Sequence, residues 1–335
     1  MILITGCNGL LGSRLASALT EQGMAVRGYI RESADLGLLS SELQAKIEWF
    51  KGSLFDSHTL LEALDGVDTI IHTAAVVSYS PARVKEMYHT NVQGTATVVN
   101  AALASKSVKK LVHVSSIAAI GRAINKTLVN EDDLWVESDH NTHYATSKYL
   151  SELEVYRGFE EGLEGFIVNP SVILSPGDIY KSSARLFGYI LKGGKYYTEG
   201  TINYVDVRDV CNLVLKLMDK DVLVGERYIL NAGQTSYKEL FDSIANAFEV
   251  KAPYKLAGTV AKGLLWRAEY LRSLLTGSEP LITKETARLS GISHEFDNYK
   301  IKQLFNYQFH TLDETSKWVS HELKKTPAVY NLLQK

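Results

Sequence analysis

Through the first half of the chain, short apolar runs alternate with segments whose apolar residues recur at helical spacing. The run 2–5 reads as a strand, and Leu11, Leu15, Ala18 and Leu19 then mark one face of a helix that Gly23 stops. Further strands are predicted at 25–30, 47–50, 69–73, 111–115 and 165–168. Between them the pattern predicts helices over 57–64, where Asp56 is the expected cap, over 84–104, and from Tyr144 onward. The strands are apolar throughout rather than alternating, which is the pattern of strands covered on both faces. Together these features predict an α/β fold, a doubly wound parallel sheet with right-handed crossovers.

Beyond Pro176 the regularity loosens. Segments 204–207 and 228–230 are expected to return as strands to the main domain. Residues 181–203 and most of 236–335 read as an irregular, partly helical second lobe. The expected division is therefore 1–180 plus 204–235 for the sheet domain, and 181–203 plus 236–335 for a smaller, mostly helical substrate lobe. In sheets of this kind ligands lie at the carboxyl ends of the strands, here between the lobes.

Composition narrows the field. A chain of 335 residues with net charge −2 carries no basic block suited to phosphate neutralisation, so nucleic acid is not an expected partner. Its 2 cysteines, Cys7 and Cys211, are far apart and lack metal-ligand spacing, which points to a reducing, cytoplasmic setting rather than a disulfide framework. Met1 leads directly into the first strand with no basic-then-apolar leader. The apolar stretch 256–275 is interrupted by Lys262, Arg267, Glu269 and Arg272, so no transmembrane segment is expected there. It reads as an amphipathic helix covering a substrate pocket, with a membrane-surface helix as the alternative.

The chemistry begins directly after the first strand. Thr5-Gly6-Cys7-Asn8-Gly9-Leu10-Leu11-Gly12 sets three glycines at the opening of the first helix. The first permits a tight turn, the second a close backbone approach to a pyrophosphate, and the third close helix–strand packing. The helix N-terminus then offers N–H groups to the anion. Gly6, Asn8, Gly9, Leu10, Leu11 and Gly12 are thus the candidate pyrophosphate contacts of a Rossmann-type dinucleotide domain. The three-and-three spacing resembles the short-chain dehydrogenase/reductase superfamily, in the TGxxGxxG form of its extended branch, the NAD-dependent epimerase/dehydratase family.

At the end of the second strand, where relatives that prefer NAD carry an acidic residue, this chain has Ile30 followed by Arg31. An arginine there can grip the 2′-phosphate of NADP through a charge-assisted fork. The run Val26-Arg27-Gly28-Tyr29-Ile30-Arg31 resembles the VRAxVR stretch of the dihydroflavonol-reductase-like subgroup, which prefers NADP. NADP is therefore the expected cofactor. Glu32 beside Arg31 leaves NAD open.

Tyr144-Ala145-Thr146-Ser147-Lys148 places a phenol and an ammonium four residues apart on one helix face. A free phenol, with a pKa near 10, is a sluggish acid or base at neutral pH, and a neighbouring cation favours its ionised form. The pair lies where the superfamily carries its tyrosine and lysine, after the strand ending Val114-Ser115-Ser116. The resemblance makes Tyr144 the general acid/base. Lys148 tunes it and holds the nicotinamide ribose, and Ser116 holds the substrate oxygen, with Ser115 as the neighbouring alternative.

Other stretches carry the same resemblance. His72-Thr73-Ala74-Ala75 resembles HxAA, which brings Ala74 and Ala75 close to the cofactor. Asn91-Val92-Gln93-Gly94-Thr95 resembles NVxGT, where Asn91 has either a structural role or a cofactor contact. Asn169-Pro170-Ser171-Val172 is similar to RPxxV, whose proline lies by the nicotinamide, giving Pro170 and Val172. Ser53-Leu54 matches the GDL segment beside the adenine, with Ser53 in place of the aspartate, and 204–210 resembles a signature of extended members. His72 and Cys7 are read as packing groups, and no metal is expected.

Departures limit the substrate. Ile117 and Ala118 stand where extended dehydratases carry an acidic pair. Gly121 stands where plant flavonoid reductases place an asparagine. The expected activity is an NADPH-dependent reductase acting on a ketone or aldehyde of a small, fairly apolar molecule. A nucleotide-sugar epimerase with retained cofactor is the alternative, and a non-enzymatic NADP-binding sensor the third reading. A homodimer through 84–104 and 144–159 is a family-level expectation.

Overall fold

The computed structural model describes residues 1–121, 127–138, 141–220, 222–258 and 294–334. Of the amphipathic segment expected at 256–275, all but its first three residues lie outside the described residues. The main sheet has seven parallel strands: β1 (Ile2–Thr5), β2 (Val26–Ile30), β3 (Glu48–Lys51), β4 (Thr69–His72), β5 (Lys110–Val114), β6 (Glu164–Pro170) and β7 (Arg227–Leu230). Their spatial order is β7-β6-β5-β4-β1-β2-β3. Ile2 pairs with Val26 on one side and Thr69 on the other, so the winding direction reverses at β1 and opens a crevice beyond its carboxyl end.

Successive side chains feed two cores. Ile2 and Ile4 of β1, with Val112, Val114, Phe166 and Val168, pack under helices α1 (Leu10–Glu21) and α4 (Val207–Asp219). Leu3, Ile70, Leu111 and Ile167 pack on the opposite face under α2 (Gly94–Ala104) and α3 (His143–Glu160). This two-sided burial accounts for the uninterrupted apolar strands of the sequence.

The helix expected over 84–104 forms, but it widens midway. Val84–Tyr88 runs into a wide π-helical turn at His89–Gln93 before α2 begins. That turn carries the buried Asn91 to the chain beyond β4, where Oδ1 accepts from Val76 N at 2.7 Å and Nδ2 donates to Val76 O at 2.9 Å.

Segment 204–207 does not join the main sheet. Thr201–Asp206 pairs with Val172–Leu174 and Gly233–Ser236 in a separate three-stranded sheet, while Arg227–Leu230 enters the main one as β7. The reason lies in alternation: Ile202 and Tyr204 face a third core with Phe187, Leu240, Phe241 and Val319, whereas Val205 packs into the main one. The helices of that third core, Tyr237–Phe248 and Leu312–Lys324, both open on capping boxes, Ser236 with Glu239 and Thr311 with Glu314. Residues 299–309 return to the sheet domain through Ile301, Leu304 and Phe305. Among the described residues no helix is long and apolar enough to cross a membrane.

Candidate active site

The glycine loop sits in the crevice beyond β1. Gly6 has φ of +68°, and a Cβ there would lie 2.8 Å from Ala74 Cα, so glycine alone suits both its backbone and its neighbour. A Cβ on Gly12 would collide with the Gly6 carbonyl. Gly9 is the N-cap of α1 and has no side chain to satisfy the first-turn N–H groups, which include those of Leu10, Leu11 and Gly12. The result is a narrow concave backbone surface lined with donors, the shape and charge that a pyrophosphate needs. Asn8 donates to Asp35 O at 3.1 Å, tying the loop to the segment after β2. Leu10 leans over Gly177.

The ends of β2 and β3 border the crevice on the other side of β1 from β4. Arg31 is the first residue past β2 and is exposed; after Arg83, its charge helps hold the Glu86 carboxyl below its usual range. Ser53 is also exposed; its carbonyl accepts from Tyr29 Oη at 2.9 Å and its hydroxyl from Phe55 N at 3.2 Å. Leu54 packs toward Gly94. Exposed Phe55 stacks on His89 with ring centroids 3.8 Å apart, an arrangement the sequence did not single out. Past β4, Ala74 is half-buried against Gly6 and Ala75 is exposed. The Asn91 amide is engaged by Val76 and by Ser147 Oγ at 3.0 Å, so in this structure it holds protein to protein.

Thr142 caps α3 by accepting from Ala145 N at 2.9 Å, which starts the helix so that Tyr144 falls in its first turn and Lys148 one turn on. Both are buried, with exposures of 8% and 2%. Ser116 follows β5, accepts from Ala118 N at 3.1 Å, and presents its hydroxyl to the Tyr144 phenol. Burial pushes that phenol up, and the Ser116 contact opposes the shift. Lys148 Nζ donates to Val114 O at 2.9 Å. Burial pulls the ammonium down to about 8, against the attraction of Glu152. Ser115 is buried beside Glu152 rather than at the phenol.

Pro170 ends β6 in a buried position, and Val172 begins the next strand half-buried. Two residues that the sequence reading passed over complete the site. Tyr79 meets the Tyr144 ring edge-on, with centroids 5.9 Å apart. Glu152 lies one further turn along the stripe of Tyr144 and Lys148; the same four-residue spacing was the available signal.

His72 is hydrogen-bonded through both ring nitrogens, to Thr5 Oγ1 at 2.6 Å and Thr95 Oγ1 at 3.0 Å, and burial holds it neutral with a pKa of about 3. Cys7 is buried and its thiol is pushed up to about 12, which suits packing. Among the described residues no group of His, Cys, Asp or Glu is placed to hold a metal ion.

A doubly wound sheet whose first helix opens on a glycine cradle, beside a half-buried Ser116 and the buried Tyr144 and Lys148, defines the class: an NAD(P)-dependent, oxidoreductase-type enzyme. The chain belongs to the NAD dependent epimerase/dehydratase family, whose profile matches residues 2–233. It is 33% identical to "Sterol demethylase protein B" of Methylococcus capsulatus over 232 residues, 68% of each protein. It is 32% identical to "Cinnamoyl-CoA reductase 1" of Petunia hybrida over 63% of this chain and 66% of that protein. Among solved structures, gox2253 superposes with a TM-score of 0.80 at 28% identity, covering 97% of this chain and 98% of the other. A UDP-glucose 4-epimerase from Thermotoga maritima shares the fold, with a TM-score of 0.77 at 19% identity and coverage of 97% and 98%.

Proposed function

We propose that this enzyme is an NADPH-dependent reductase acting on a ketone or aldehyde of a small, fairly apolar molecule. The observation that carries the reading is the trio at the carboxyl end of β5: the half-buried Ser116, whose hydroxyl faces the buried Tyr144 phenol, with the buried Lys148 one turn beyond. Gly6 to Gly12 would hold the pyrophosphate of a nicotinamide cofactor, which would supply the hydride when bound. Ser116 orients the carbonyl oxygen, and Tyr144 donates its proton to that oxygen as the negative charge develops. Burial favours the protonated phenol, the form a reductase requires at neutral pH. Lys148, anchored on Val114, is set to hold the ribose beside the phenol. Pro170 and Val172 are assigned to the nicotinamide, Ala74 and Ala75 to the inner cofactor wall, and Ser53 and Leu54 to the adenine. Ser115, like Asn91, supports the site from behind it. Arg31, exposed at the end of β2, is assigned to the 2′-phosphate, which makes NADP the preferred cofactor over NAD.

Cinnamoyl-CoA reductases of Petunia hybrida and Arabidopsis thaliana, and a putative dihydroflavonol 4-reductase of Synechocystis, are among the similar proteins and support carbonyl reduction. The test is absorbance at the nicotinamide band, with NADPH and a panel of aldehydes, ketones and nucleotide sugars. Net oxidation with carbonyl compounds is expected. Conversion of a nucleotide sugar with no net NADPH turnover would establish an epimerase instead, and inactivity towards every compound would overturn the reductase reading.

A further inference from the structure

Helix α3 carries a second buried ionisable group one turn beyond Lys148. Glu152 is 1% exposed, and its two carboxylate oxygens are held from different strands. Asn169 Nδ2 on β6 donates to Oε1 at 2.6 Å and also to the Ser116 carbonyl at 2.9 Å. Arg227, at the start of β7, pairs with Oε2 at 3.4 Å. The rest of that guanidinium donates to Glu131 O at 2.7 Å and Asp133 O at 2.8 Å, while the Glu131 side chain accepts from Ile229 N at 2.9 Å. One carboxylate therefore joins the Tyr144/Lys148 helix, the backbone of Ser116 and, through Arg227, the loop at 131–133. Asn169 occupies the arginine's place in the RPxxV-like stretch, and the guanidinium beside Glu152 comes from the neighbouring strand.

Taking a carboxylate this far from water is costly, and packing alone would be served better by an apolar side chain. We infer that Glu152 is a positioning residue for the reaction proposed above: its carboxylate balances the Lys148 ammonium inside the fold and, through Asn169, fixes the backbone that carries Ser116. Lys148 is faced by Tyr144 and Glu152 on its own helix, by His72 on β4 and by His113 on β5, with Arg227 behind Glu152. Both imidazoles are driven to the neutral form by burial, so neither adds a positive charge beside the ammonium. Glu152 is the group that raises the Lys148 pKa against its own burial.

Glu152→Gln keeps the shape and an acceptor for Asn169 while removing the charge. The Lys148 side chain is followed by NMR of protein labelled at lysine Cε, without cofactor, and its signal is assigned by its loss in Lys148→Arg. The wild-type midpoint is expected near 8. In Glu152→Gln it is expected at least about one pH unit lower, an ordinary size for removing an opposite charge within the protein. The alkaline limb of kcat is expected to move the same way, with kcat reduced and the KM of the carbonyl substrate nearly unchanged. Should Glu152→Gln fail to fold, Glu152→Gln with Arg227→Gln removes both charges, and the same downward movement is expected. An unmoved lysine midpoint, or lost activity with an unmoved limb and a lowered Tm, overturns the proposal. A wild-type enzyme inactive on all carbonyl compounds sinks the reductase reading, while the lysine titration still decides whether Glu152 sets the charge of Lys148.

Discussion

Lys148 Nζ donates to the carbonyl oxygen of Val114 at 2.9 Å, fastening the first half of α3 to the last residue of β5. Ser115 and Ser116 follow Val114 directly, so the bond fixes the strand end from which the Ser116 hydroxyl meets the Tyr144 phenol. Two elements that are distant in the chain thereby hold three side chains in one geometry.

Replacing Tyr144 by Phe removes one oxygen from a buried ring that keeps its edge contact with Tyr79. The fold should survive the change. With the proton donor gone, kcat for carbonyl reduction is expected to fall roughly 10²–10⁴-fold, the usual contribution of a positioned acid. NADPH binding, followed by fluorescence titration, is expected to stay within about twofold, since hydrogen-bond loss at a site away from the phosphates leaves their contacts intact. A variant retaining more than a tenth of wild-type kcat would remove Tyr144 from the proposed role.

Arg31→Ala tests the cofactor preference at a residue that is exposed and lies outside the strand ladder. Loss of a charge-assisted bond to the 2′-phosphate is expected to raise the KM for NADPH by roughly 10–100-fold. The KM for NADH should hardly change, because that cofactor lacks the phosphate. Equal effects on both cofactors would assign Arg31 to the surface alone.

The parts of the fold legible in the sequence are those written within single elements. The two-sided strands, the glycine loop and the Tyr144/Lys148 stripe each follow from local spacing, and each is found where that spacing placed it. Segment 204–207 packs Val205 and Val207 into the main core while its strand pairs in the smaller sheet, and alternation over so few positions does not say which sheet a strand joins. The widening of the 84–104 helix at 89–93 was hidden because helix spacing continues across it; there the buried Asn91 is bonded to Val76, outside the helix. Glu152 shares the four-residue spacing of Tyr144 and Lys148, but its partner Arg227 is 75 residues away, and spacing alone does not tell a buried helical glutamate from a solvated one.

Gly12→Val tests whether the cradle is built for an anion or only for a turn. Any Cβ at this position meets the Gly6 carbonyl and lies 2.9 Å from Thr73 Oγ1, so the loop must shift. Overpacking of this kind costs about 1–3 kcal/mol. A moderate fall in Tm is therefore expected together with a loss of dinucleotide binding of at least about tenfold, because the donors of the α1 N-terminus no longer converge. Normal binding by calorimetry in a destabilised variant would reduce Gly12 to a packing role.

The last expectation concerns acid stability, and it follows from the buried imidazoles of His72 and His113, whose rings lie 5.3 Å apart. Burial holds His72 at about 3 and His113 well below its ordinary value, so both are neutral in the folded enzyme. Unfolded, each takes up a proton near pH 6.5. Between that pH and the folded value the unfolded chain binds more protons, so stability is present above about 6.5 and is lost as the pH falls. The limiting slope is about 1.4 kcal/mol per pH unit for each histidine that remains neutral in the fold. Glu152 and Glu131 work in the opposite sense, since burial raises both carboxyls above their ordinary values; their contribution is present at low pH and declines as the pH rises through the carboxylate range. Comparison with His72→Gln cancels those carboxyl contributions. That side chain can still reach the hydroxyls of Thr5 and Thr95, and it does not titrate. Denaturant unfolding between pH 6.5 and 5 is expected to show a shallower loss of stability in His72→Gln than in the wild type. Parallel curves would mean that His72 carries its charge into the folded state.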